Sequence, residues 1–174
     1  MKKIEELEKD LNNGNLESIY FLYGEEQYLL ETIVNKIKKL FGECIKGINY
    51  ILIDDTNINN IISDIETPAF GYEKKLIIVK NSGILKKEGK RKNAELAKIK
   101  ERLNTYLKEN IEIIKHSTII VFIEEETETK QELYKTIDKL GIICKFDFQN
   151  LLQLQKRLKG TCNAYGVKIS DSNL

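Results

Sequence analysis

The first apolar run of the sequence ends in a glycine, two acids and a helix-like pattern, "IYFLYGEEQYLLE" (19–31). That order of strand, glycine and helix is one in which a protein can hold phosphate, because free backbone N–H groups and the helix dipole favour anions there. A working phosphate loop needs more: G-x-x-x-x-G-K-[ST], with glycines for close approach, a lysine for the outer phosphates and a hydroxyl for magnesium. Here Glu25 and Glu26 stand where phosphate would sit, and they suit a helix start by complementing its dipole. The Gly89–Lys90 pair is followed by Arg91 and does not follow a strand, and the run "IIVKN" (77–81) ends without a magnesium-binding carboxylate.

Other catalytic constellations are equally incomplete. His116 is the single histidine and precedes an apolar run, the usual place for a surface or turn residue. No serine or cysteine sits in a nucleophile motif, so a triad has no support. The acidic run "EEETE" (124–128) reads as a solvated loop, since hard cations need ligands converging from a defined loop. Cys44, Cys144 and Cys162 are scattered, odd in number and without CxxC spacing, which fits reduced cytoplasmic thiols and neither a disulfide framework nor a zinc site. The expectation is a non-catalytic domain with no cofactor and no metal.

Two stretches have the chemistry of binding. "ETPAFGYEKKLIIVK" (66–80) holds the only proline, Pro68, followed by Ala69, Phe70 and a glycine just before an apolar run. Phe70 either tucks back into the core, the ordinary fate of such a ring, or is displayed for a partner; the residues alone leave both open. The second stretch, "LKKEGKRKNAELAKIKER" (85–102), offers Lys86, Lys87, Lys90, Arg91 and Lys92. These could contact phosphates, with steeply salt-dependent binding, or form a solvated loop. No aromatic residues are interleaved to stack on bases, so single-strand recognition by stacking is not expected.

The elements that must position these residues alternate along the chain. Strand-like runs fall at 19–23, 48–54, 75–80, 118–124 and 142–148. Between them lie helical patterns: 25–41, with Tyr28, Leu29, Ile33, Ile37 and Leu40 at three-to-four spacing; 57–66; a long one from the basic stretch to about Asn110; and 130–140. The central runs are continuously apolar, so the sheet should be covered on both faces, and the alternation argues for parallel crossovers. This predicts a three-layer α/β domain ending near Asp147, followed by a fresh helix and loop.

The bulk properties agree with that picture. In 174 residues, 41% are hydrophobic and 32% charged, an ordinary soluble composition with room for one core. A net charge of +1 gives no global attraction to a polyanion. No apolar run approaches the roughly 20 residues that cross a bilayer, and "MKKIEELEKDL" alternates acids with apolar residues, unlike a signal peptide.

Taken in order and spacing, "IYFLYGEEQYLLE", "TPAFGYEKKLIIVKN" and "STIIVFIEEETETKQELYKTIDKLGIICKFDFQNLLQLQKRL" resemble the delta subunit of bacterial DNA polymerase III, the clamp-loader subunit that opens the sliding clamp. The resemblance implies an AAA+/P-loop-like α/β domain without a working phosphate loop over residues 1–147. It implies the start of a helical lid domain over 148–174, and a C-terminal collar domain that is absent, as expected of a fragment. It further implies a non-catalytic subunit of the polymerase holoenzyme in the cytoplasm. The partners it implies are the sliding clamp (beta subunit), other loader subunits in the full-length protein and, indirectly, primed DNA, with no membrane. The family's clamp-opening element is a hydrophobic pair, commonly Leu-Phe, which aligns with Ala69 and Phe70. Phe70 keeps the ring, Ala69 departs from the larger residue, and Pro68 stiffens the corner. A divergent P-loop NTPase and a generic α/β interaction module are the alternatives.

Overall fold

A computed structural model of the protein describes residues 1–87 and 93–167. Five parallel strands form one sheet: β1 (Ile19–Gly24), β2 (Tyr50–Ile53), β3 (Lys75–Lys80), β4 (Thr118–Glu124) and β5 (Ile142–Phe146). They lie in the order β2-β3-β4-β1-β5. The helices are α1 (Ile4–Asn12), α2 (Gln27–Phe41), α3 (Ile61–Glu66), α4 (Ala94–Ser117), α5 (Glu132–Leu140) and α6 (Leu151–Ala164). A short 3-10 turn, Ile58–Asn60, leads into α3.

The expected three layers are present, and the strands' alternation explains them. Side chains of successive strand residues point to opposite faces. In β1, Ile19, Phe21 and Tyr23 join a core with α3, α4 and α5, while Tyr20 and Leu22 join the core under α1 and α2. Every residue of β1 and β4 is buried, which is why both read as unbroken apolar runs.

Local expectations are corrected at several points. An additional helix, α1, precedes β1, with Ile4, Leu7 and Leu11 burying one face of it. In α2 the buried stripe is Leu29, Leu30, Ile33, Val34 and Ile37, so the helix turns Tyr28 out to 78% exposure. The second strand begins only at Tyr50, because the buried Asn49 side chain accepts from the Ile45 N–H (2.7 Å) and donates to the Glu43 carbonyl (2.8 Å), turning 43–49 into a loop. As an edge strand β2 is not fully covered, leaving Leu52 44% exposed. Finally, α4 does not stop at Asn110 but breaks there, with φ −115° and ψ 15°, and continues to Ser117.

Candidate functional site

The stretch around Phe70 is a turn fixed at several points. The α3 helix ends at Glu66; Thr67 leaves it with extended backbone while both its N–H (2.9 Å) and its hydroxyl (2.7 Å) donate to the Ser63 carbonyl. Pro68 then holds φ near its single allowed value. Four residues, Ala69 to Tyr72, close a β-turn in which the Tyr72 N–H donates to the Ala69 carbonyl at 2.9 Å. Gly71 has φ +83°, the left-handed value that the third position of a type II turn requires. Phe70 occupies the second position and is 75% exposed. Pro68 beside it is exposed and Ala69 half-buried.

The base of the turn is tied down from the sheet. Lys75, the first residue of β3, is only 3% exposed, and its ammonium donates to the carbonyls of Asp64 and Thr67. Burial pulls this ammonium below its ordinary value, and the nearby Asp64 carboxylate works against that shift. Burial in turn pushes the Asp64 carboxyl up, with Lys75 opposing. On the outer side the Tyr72 hydroxyl donates to Glu43 Oε2 at 3.2 Å. Between the turn and α4 runs a groove of about 430 Å³, with Pro68, Ala69 and Tyr72 on one wall and Tyr106, Asn110 and Ile113 on the other.

Lys86 and Lys87 of the basic stretch are exposed; Lys90, Arg91 and Lys92 lie outside the described residues. The loop that leads into this stretch is well anchored. Glu124, 3% exposed, accepts from the Gly83 N–H (2.8 Å) and the Ser82 hydroxyl (3.3 Å). Thr127 and Gln131 both donate to the Leu85 carbonyl, at 2.6 and 2.7 Å. The acidic run is therefore only partly solvated: Glu125 and Glu126 are exposed, but Glu124 is a buried strut, with burial pushing its carboxyl up. Phe70 precedes β3 and Lys86 follows it, so the two candidate binding stretches are not brought together. They sit beyond opposite ends of a six-residue strand, which spans about 20 Å.

At the strand–glycine–helix turn, only Glu25 and Glu26 separate β1 from α2, too short a connection to wrap a phosphate. Gly24 has φ +135°, and a Cβ there would lie 2.2 Å from the Phe146 carbonyl oxygen, so its role is close passage of β5. The Glu26 N–H is already spent on that same carbonyl, at 3.0 Å. His116 is exposed at the end of α4, and among the described residues no three His, Cys, Asp or Glu side chains converge as a metal site. Nor is any helix among them long and apolar enough to cross a membrane.

Sequence reasoning missed Lys75 and Glu124. The signal for both was positional: a charge directly abutting an apolar run, in "KLIIVK" and "TIIVFIE", where the strand continues into the core around the charged residue.

The fold is a three-layer α/β domain around a parallel five-stranded sheet, with a two-residue first turn and a fixed aromatic corner before β3. The model of the DNA polymerase III delta subunit family matches residues 20–147, and the chain belongs to that family. The chain is 34% identical over 90 residues to DNA polymerase III subunit delta of Bacillus subtilis, covering 50% of this chain and 26% of that protein. It is 33% identical over 122 residues to a probable DNA polymerase III subunit delta of Aquifex aeolicus, covering 67% of this chain and 31% of that one. The solved Bacillus subtilis clamp loader delta protein shares the fold with a TM-score of 0.72 at 22% identity, over 93% of this chain and 48% of that one. The chain thus spans less than half the length of these relatives.

Proposed function

We propose that this chain docks on a DNA sliding clamp through Phe70, flanked by Pro68 and Ala69, and that this contact helps open the clamp ring. The chain does no chemistry of its own; other clamp-loader subunits supply the energy of ATP in the cytoplasm. The observation that carries this reading is the 75% exposure of a phenylalanine on a turn fixed by Pro68, Gly71 and Lys75. An aromatic ring held out in water on an ordered backbone is what a partner's pocket can bury without first ordering the chain. Residues from Phe148 onward, where α6 buries none of its side chains, are assigned to the start of a lid domain. In this reading the basic stretch, Lys86 and Lys87 followed in sequence by Lys90, Arg91 and Lys92, is a phosphate contact separate from the clamp-docking turn. Surface-immobilised clamp tested with wild-type chain and Phe70→Ala decides the main claim: binding that survives the substitution unchanged refutes it.

A further inference from the structure

We infer that Lys75 is the positioning residue of this site: its buried ammonium sets the turn that presents Phe70. The inference rests on the clamp-docking reading for its purpose, but its physical content is independent. The last carbonyls of a helix have no partner within it, and their negative dipole end favours a cation. Six residues of α3 offer little cooperativity of their own, so its C-terminal end needs outside support. Lys75 supplies it by donating to Asp64, in the last turn, and to Thr67, the first residue beyond it. Its own backbone belongs to β3 and pairs with Thr118 of β4, so the support comes from the interior of the sheet.

The chain from Thr67 to Lys75 is thereby a closed loop, gathered at its neck by the Lys75–Thr67 bond and at its tip by the Tyr72–Ala69 bond. Phe70 stands on that tip. Without the ammonium, the Asp64 and Thr67 carbonyls lose their donor and the neck of the loop opens. The ring then samples several directions, and the clamp must select one of them at a cost in affinity.

The test compares wild type, Lys75→Met, Phe70→Ala and the double variant, by amide hydrogen exchange at single residues and by clamp affinity. In Lys75→Met the Thr67 and Tyr72 amides should lose about tenfold in protection while the β3–β4 ladder keeps its own. Clamp affinity should fall about tenfold in the Phe70 background and change little in the Phe70→Ala background. Undisturbed protection at Thr67 and Tyr72 overturns the inference, and so does an affinity loss of equal size in both backgrounds. If Phe70→Ala alone leaves affinity untouched, the clamp reading falls, and the exchange data still decide whether Lys75 holds the turn. Should Lys75→Met not melt cooperatively, Lys75→Gln, with a donor on a shorter arm, is read by the same criteria.

Discussion

Replacing Phe70 by alanine separates a displayed ring from a core ring, because the two lose different things. With 75% of the residue already in water, only about a quarter of its surface is buried against the protein. Full burial of such a ring is worth roughly 1.5–3 kcal/mol, so the fold stands to lose about 0.4–0.8 kcal/mol. For a domain of this size that lowers Tm by about 1–3 °C. The other three-quarters becomes buried only in the complex, a contribution of about 1–2 kcal/mol, or roughly a 5- to 30-fold weaker Kd. Thermal melts and surface plasmon resonance against the sliding clamp measure the two quantities on the same protein preparations. A core phenylalanine would instead cost about 3–5 kcal/mol of stability. A Tm drop of that larger size, or an unchanged Kd with an unchanged Tm, would refute the reasoning.

Ala69→Leu, which restores the commoner hydrophobic pair, should tighten clamp binding with little change in Tm; weaker binding in a plasmon resonance titration would contradict the alignment. Titration with magnesium-ATP should give no binding heat and no turnover, since two residues between Gly24 and Gln27 cannot cradle phosphate; turnover removed by substitutions in that turn would overturn this. Gly24→Ala forces a Cβ toward the Phe146 carbonyl at φ +135°. Strain of this kind costs about 1–3 kcal/mol, so Tm should fall by roughly 2–12 °C, and a melt matching wild type is the contrary result. Burial raises the Glu124 carboxyl above its ordinary 4.5, so the folded state holds that proton more tightly than the unfolded state. Its contribution to stability must therefore decline as pH rises past 4.5. Urea melts between about pH 4 and 7 should show wild type losing ground to Glu124→Gln, and a pH-independent difference would refute the sign.

How far the sequence reveals this molecule depends on what each residue's neighbours are. The spans of β3 and β4 are legible to the residue, because the buried middle of a parallel strand is an unbroken apolar run, here Leu76–Val79 and Ile119–Ile123. The end of β2 facing Ile48 is not, since a polar residue, Asn49, makes the boundary through hydrogen bonds to residues 43 and 45 that no periodicity encodes. The pattern of α1 is present in Ile4, Leu7 and Leu11, but three apolar residues among acids and lysines make a short and weak stripe. For Phe70, residue type and the Pro-Gly corner located the turn, while exposure depends on α3, α4 and β3 meeting in space. Lys75 abuts an apolar run, but so does Lys80, which is exposed. The burial of Lys75 follows from the paired carbonyls of Asp64 and Thr67, which only the folded backbone brings to it.

The place of the aromatic corner at the head of β3 also has a mechanical consequence. β3 is hydrogen-bonded on both sides, to β2 from Leu76 to Val79 and to β4 along its whole length. A force applied at residue 70 along the strand axis meets those two ladders in shear, so that many bonds share the load and none is peeled first. The same force on an edge strand or a free loop would undo bonds one after another. A pull on this corner is thus taken up along the strands, by the ladders on both sides of β3 together.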